Sequence, residues 1–303
     1  MSRKNKEIGE KITARTFLEP AAFLLPFMVG LLIFTLYPFI NVFIISFKQD
    51  YNMLTGAFND YGFKNYAKVI ADPNFISGLK NTAVYVITVV PAATALSILV
   101  ATGLNSNIKL KGLFQTAYFL PMVTSITAVG LVWKWLYNYD YGLINYFIRL
   151  FGGEGINWLN DPKYNLAALI IYGVWNMMPM TTILVLAGFQ NINPQYYTAA
   201  RVDGAKSARI FFRITLPLLA PTIGLTLIIN MISAAKVFTE LFPLFNGQPG
   251  AAYSLYTVVY YLYDMFYVKW KLGRAAASAV VLFFIILILT MIQLFIQRKW
   301  KNY

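Results

Sequence analysis

Few side chains in this sequence could make or break a bond. Its 303 residues include no histidine and no cysteine. That removes the commonest general base, the commonest metal ligand and every thiol nucleophile. A phosphate-cradling loop needs the pattern G-x-x-x-x-G-K-[ST]; none occurs, and the turn from Gly247 to Gly250 lacks the lysine. What remains is polar chemistry set in apolar surroundings. The run Trp175-Asn176-Met177-Met178-Pro179-Met180 puts an amide and three thioethers around a proline that interrupts the helical ladder. Asn230 and Ser233 sit in a second apolar stretch, followed by Lys236 and Glu240 at i, i+4 spacing. Such amides and hydroxyls either meet a polar solute or bond helix to helix, the latter at about 0.6 kcal/mol per pair. The two readings weigh evenly. For Lys236 and Glu240 the plain reading is a local ion pair worth a few tenths of a kcal/mol. The sharper one has Lys236 meet the carboxylate of an acidic solute.

The elements that must hold these groups are transmembrane helices. The chain is 58% hydrophobic and 12% charged, where soluble domains average about 45–50% and about 25%, so a soluble enzyme is excluded. Crossing a bilayer takes about 20 mostly apolar residues. Six stretches qualify: Ala21 to Ile45, Asn81 to Leu104, Phe114 to Leu136, Leu166 to Phe189, Leu218 to Phe238 and Ala275 to Ile296. The first is too long for a secretory h-region and lacks a small-residue cleavage site, so it is expected to be retained. The expected fold is therefore all-α and integral to the membrane. Residues 1–20 form an N-terminal segment, 21–297 one transmembrane domain, and 298–303 a short tail.

The formal charge of +13 reads as membrane orientation rather than nucleic-acid binding, because lysine and arginine concentrate in cytoplasmic loops. Segments on one side of the predicted spans carry fourteen basic and four acidic residues, among them Arg3, Lys4, Lys6, Lys11, Lys109, Lys111, Arg201, Lys206, Arg209, Arg213 and Lys301. The opposite loops carry nine basic and eight acidic. Both termini are expected in the cytoplasm, as an even number of spans requires. On the outer side, Trp133, Trp135, Tyr137, Tyr139 and Tyr141 read as an aromatic belt at the interface.

The loop at residues 190–217 has its own pattern. Asn193 can cap a helix and Pro194 suits its first position. Gly204 can take the left-handed conformation that ends a helix. A short helix is thus expected from Pro194 to Asp203, presenting Tyr196, Ala199, Ala200 and Asp203 on one face. Ser207 is expected to cap a second short helix running towards Ile214 and Pro217. Small residues at 199 and 200 favour close approach of another protein over burial in lipid.

The run Ala199-Ala200-x-x-x-Gly204, followed by Ile214-x-Leu216-Pro217, resembles the signature loop of binding-protein-dependent ABC importer permeases. Thr198 stands where that family usually has glutamate, so any contact made by that carboxylate differs here. Gly142, Asn145, Trp158-Leu159, Asp161-Pro162, Trp175, Pro179 and Asn246-Gly247-x-Pro249 are similar to the sugar-importing branch, in particular to the larger subunit of maltose permeases, without that subunit's long extracellular insertion. The resemblance spans about residues 20 to 297 and implies a type I importer permease. It implies a coupling helix that docks on a separate ATPase through Tyr197, Thr198, Ala199, Ala200, Asp203, Gly204, Ile214, Leu216 and Pro217. It places the substrate path at Gly173, Asn176, Met177, Met180, Asn230, Ser233, Ala234 and Val237, with Lys236 beside it. It implies a second homologous permease, two ATPase domains that hold ATP and magnesium, an extracellular solute-binding protein and a sugar substrate, all in the bacterial cytoplasmic membrane. No cofactor, metal or nucleic acid is expected on this chain.

Two other classes compete with this one. A proton-coupled secondary transporter needs intramembrane carboxylates or histidines, and the predicted spans have neither in their cores; ion coupling through broken helices remains the alternative. A membrane-embedded enzyme lacks a catalytic dyad inside the spans.

Overall fold

The computed structural model describes residues 14–106 and 109–300, with side chains from 21 to 297. Of the basic residues named above, Arg3, Lys4, Lys6, Lys11 and Lys301 lie outside the described residues. In chain order the elements are α1 (residues 14–47), α2 (Lys64–Ile70), α3 (Pro73–Asn105), α4 (Lys111–Val123), α5 (Ile126–Leu136), α6 (Leu143–Leu150), α7 (Pro162–Gln190), α8 (Gln195–Val202), α9 (Ser207–Ala235), α10 (Leu241–Phe245), α11 (Val258–Tyr263) and α12 (Leu272–Trp300). Helices α1, α3, α7, α9 and α12 are each long and apolar enough to cross a membrane. Helix α3 starts well before its predicted position, because Asp72 caps it through the Asn74 N–H at 3.0 Å and Pro73 occupies its first turn.

The third predicted span is not continuous. It breaks into α4 and α5, which meet at 102°. Pro121 disrupts the end of α4, and the Thr124 hydroxyl turns back to the Leu120 carbonyl at 2.9 Å. The fifth span also differs from expectation. The second short helix does not stop at Ile214 but runs on as the first turns of α9. Ser207 makes no cap; it follows Lys206, whose side chain caps nothing. A π turn at Phe211–Thr215 precedes Pro217, and another at Leu32–Leu36 precedes Pro38; each widens the helix where a proline ring would strike a carbonyl. At its far end α9 stops at Ala235, three residues short of the predicted limit.

Helices α3, α7 and α9 form the interior, and α1 lies on α12 at the edge. A polar knot ties the three interior helices: Asn230 Nδ2 donates to Thr181 Oγ1 at 3.0 Å and to Thr94 Oγ1 at 3.3 Å. Ser97 of α3 donates to the Met178 carbonyl beside Pro179. The bundle has two unlike ends. One, here the hook, carries residues 190–217. The other, the cap, gathers residues 48–72, 137–161 and 236–271.

The cap is stitched by buried polar groups. Asn145 donates to the carbonyls of Asn138, Tyr139 and Ile156 and accepts from the Ile156 N–H and the Trp158 indole. Asn81 donates to the carbonyls of Ser254 and Tyr256, and Thr82 accepts from the Val258 N–H, so the start of α3 holds the 254–258 turn. Burial, then the nearby Asp264 carboxylate, pushes the Tyr260 hydroxyl up to about 12. It therefore stays a donor, to the Gly247 carbonyl at 3.0 Å. The expected aromatic belt is divided: Trp133 and Tyr137 are buried with Trp158 and Tyr172, against the half-buried Trp175, and only Trp135, Tyr139 and Tyr141 are exposed.

Candidate functional sites at the hook and in the span interior

At the hook, the Asn193 side chain accepts the Gln195 N–H at 3.0 Å, opening α8. Two bonds close it: Gly204 N–H to the Arg201 carbonyl at 3.0 Å, and Ala205 N–H to the Ala200 carbonyl at 2.9 Å. This nested pair is the Schellman arrangement, and it requires the left-handed φ of +72° found at Gly204. Nothing lies within 4 Å of a Cβ built there, so glycine is needed for its backbone alone.

The expected presenting face is changed in one position. Ala200 is buried, turned inward with the half-buried Tyr197, one turn apart on α8. Tyr197 packs on a small cluster of Ile98, Ala101, Val185, Phe189, Ile192 and Leu219, joined by Leu216 and Phe211. The outward face is Tyr196, Thr198, Ala199, Asp203 and Val202, the last 84% exposed. Val202 escaped the sequence reading; an apolar residue opposite the Tyr197–Ala200 pair was the available signal. Of the other signature residues, Ile214 is half-buried and Leu216 packs on the cluster, while Pro217 is exposed. Leu216 thus packs at the base of the hook, while Pro217 stays on the surface.

In the span interior the expected path residues separate into two groups. Asn176 and Met180 on α7, Ser233 on α9 and Lys236 just beyond it are exposed on the chain taken alone. Gly173, Asn230, Ala234 and Val237 are buried, and Met177 is half-buried. Asn230 is occupied by the polar knot, and a Cβ on Gly173 would strike the Tyr85 hydroxyl. Tyr85 on α3 therefore fills the room that Gly173 leaves, a long-range relation that spacing could not show. The neighbouring Tyr172 hydroxyl is buried with no hydrogen-bond partner among the described residues. The expected Lys236–Glu240 ion pair does not form. Because α9 stops at Ala235, the i, i+4 register is lost, and Glu240 Oε2 instead accepts from the Phe238 N–H at 3.1 Å and lies 3.3 Å from the Thr239 hydroxyl. Lys236 has no ion-pair partner among the described residues.

A bundle of this shape, with a short exposed helix between two interior spans, has known counterparts. The family model described as "Binding-protein-dependent transport system inner membrane component" matches residues 93–302. The chain belongs to this family. The permease is 31% identical over 285 residues to the arabinooligosaccharides transport system permease protein AraP of Bacillus subtilis (strain 168), covering 93% of this chain and 90% of the relative. It is 31% identical to the sulfoquinovosyl glycerol transport system permease protein SmoG of Agrobacterium fabrum, covering 96% and 92%. It is 30% identical to the trehalose/maltose transport system permease protein MalF of Thermococcus litoralis, covering 91% and 92%. Among solved structures, a chain of a bacterial ABC transporter involved in the import of the acidic polysaccharide alginate superposes with a TM-score of 0.81 at 25% identity, covering 94% of this permease and 96% of that chain. The fold is that of ABC importer permeases, and the chain is a transport subunit rather than an enzyme. Among the described residues no group of three or more acidic side chains could hold a metal ion.

Proposed function

We propose that this permease forms half of the translocation path of an ATP-driven carbohydrate importer in the bacterial cytoplasmic membrane. The other half is a second, homologous permease. Two ATPase domains hold the ATP and magnesium, and an extracellular solute-binding protein delivers the sugar. The hook faces the cytoplasm, where the basic residues Arg201, Lys206, Arg209 and Arg213 belong, and both termini lie on that side. The observation that carries the reading is the exposed α8 with its glycine-closed end, a short rigid peg with small side chains that a groove on an ATPase can grip. The relatives named above support the substrate class, since each is named for a saccharide or a sugar derivative.

The path runs along the exposed stripe of Asn176, Met180, Ser233 and Lys236, completed by the second permease. The buried residues Gly173, Asn230, Ala234 and Val237, with Met177 partly covered, shape its wall from behind. Tyr197, Ala200, Ile214, Leu216 and Pro217 carry motion from the hook into α9. Tyr196, Thr198, Ala199, Val202, Asp203 and Gly204 meet the ATPase.

The test is Gly204→Val in the reconstituted complex. A left-handed β-branched residue costs about 1–2 kcal/mol or more, which redirects the chain after α8 without touching the bundle. Sugar-stimulated ATP hydrolysis is expected to fall sharply at equal subunit content, while the binding protein still binds sugar. Lys111→Val, at the other loop on this side, is expected to keep stimulation. Wild-type stimulation and transport in Gly204→Val would remove the hook from the coupling path.

A further inference from the structure

At the cap, away from α7 and α9, a cleft of about 420 Å³ opens where α1 ends and α12 begins. Its lining includes Asp50, Tyr51, Asn65, Trp270, Lys271 and Arg274. Two of these residues hold left-handed backbone without being glycine: Asp50 at φ 50° and Trp270 at φ 55°. For tryptophan that conformation is a rare outlier, and such strain collects at binding sites. The turn is held by Lys271 N–H bonding to the Met265 carbonyl at 2.7 Å. The Trp270 ring stays 61% exposed.

The charges in the cleft do not cancel. Asp50 is already engaged by Lys64 at 3.1 Å and Lys68 at 3.6 Å. Lys271 and Arg274 have no carboxylate partner among the described residues, so the cleft presents net positive charge. Asn65 is buried, and its amide nitrogen is spent on the carbonyls of Ser46 and Lys48. Its Oδ1 has no partner among the described residues and keeps some exposed surface, which leaves one acceptor in the lining beside two cations. The rim is apolar: Met53 and Leu54 project from the 49–60 hairpin, Leu54 being 89% exposed. Below the cleft, α1 and α12 run side by side with Phe39, Ile40, Phe283 and Phe284 on open surface.

A soluble anion would explain the cations but not the apolar rim or the open hydrocarbon-facing seam beneath. A protein partner would explain the rim but not a seam that descends into the bilayer. We propose that this cleft binds the phosphate-bearing headgroup of a membrane phospholipid. Lys271 and Arg274 take the phosphate, and Asn65 Oδ1 accepts from a headgroup hydroxyl or ammonium. Trp270 and Tyr51 sit at the interface as aromatic anchors, and the acyl chains lie in the α1–α12 seam.

Native mass spectrometry of the full chain, extracted with its co-purifying subunits, tests this with phosphatidylglycerol and with diacylglycerol of the same acyl chains. The expected result is retention of phosphatidylglycerol by the wild type, falling roughly tenfold or more in the double variant Lys271→Gln, Arg274→Gln, as two basic side chains at a lipid surface imply. Diacylglycerol, lacking phosphate, should be retained weakly and equally by both. Lys163→Gln, an exposed basic residue elsewhere on the cap, should retain phosphatidylglycerol as the wild type does. If the double variant fails to fold, Trp270→Gly decides alone: glycine suits the backbone and removes only the ring, so a fall in retention supports the site and unchanged retention overturns it. The proposal is also overturned by unchanged retention in the double variant, by an equal loss in Lys163→Gln, or by release of the lipid with inorganic phosphate in excess.

Discussion

At the cap, a single buried asparagine serves five backbone and indole groups, and the 254–258 turn is bonded to the start of α3 through Asn81 and Thr82. At the hook, α8 rests on the bundle through Tyr197 and Ala200, with the Tyr197 hydroxyl no closer than 3.5 Å to that of Thr215. The cap's polar bonds around Asn145, Asn81 and Thr82 are largely buried, and such networks are rigid. The hook leaves most of its surface open and draws its order from one capping side chain and one glycine turn. The difference teaches where this permease stores shape and where it offers purchase. The cap is tied together by its own polar bonds, while the hook, on the proposed function, is the part a partner would hold.

The sharpest way to break that contrast is Asn145→Ala. It strips partners from the Ile156 N–H, the Trp158 indole and three carbonyls inside the cap, and orphaned buried groups cost about 1–3 kcal/mol each. A loss of at least about 3 kcal/mol is expected, read as a fall of the melting temperature of the purified permease. A melting temperature equal to wild type would mean that the cap does not depend on this hub. Next in size is Val202→Asp at the hook. Its side chain touches solvent, so stability should move by no more than about 0.5 kcal/mol. Stimulated ATP hydrolysis of the assembled complex should drop by about fivefold, equivalent to roughly 1 kcal/mol. A stability loss as large as that of Asn145→Ala, with hydrolysis intact, would reverse the comparison.

The smallest effect concerns acid. The hydrogen bond from Lys64, and then the charges of Lys64 and Lys68, hold the Asp50 carboxyl below its ordinary value. A depressed carboxyl contributes order above its unfolded pKa, near about 4, and loses it only as pH falls through the lower folded value. Amide exchange at Gln49 and Asn59, which pair with Asp60 and Gln49 across the hairpin, taken relative to an unprotected amide at the same pH, should stay flat from neutral pH down to about 5 and rise below about 4. A rise already near neutral pH would show that the hairpin is held by something other than Asp50.

Much of this was legible in the chain. Long apolar runs located five spans to within a few turns and took the bent pair α4–α5 for one straight span, and Gly204 announced the end of α8 because only glycine adopts that conformation cheaply. What escaped depends on contacts between distant residues. The period that places Ala199 and Ala200 on one face cannot say which of them Tyr197 will draw inward. Lys236 and Glu240 keep their i, i+4 relation only if the helix continues, and it ends one residue before the lysine. Tyr137 reads as an interfacial anchor until its hydroxyl finds the Ala168 carbonyl at 2.8 Å. The break between α4 and α5 was signalled by Pro121 followed by Thr124-Ser125, but hydropathy averages over such a turn.

That break has a consequence for the life of the protein in the cell. Thr124 and Ser125 are exposed on the chain, and the Ser125 side chain does not cap α5. The first N–H groups of α5 thus meet whatever surrounds the bundle, near the middle of an apolar stretch. In hydrocarbon each unmet backbone group costs several kcal/mol. A newly made copy is therefore unfinished until a neighbour or a water-filled space covers this corner.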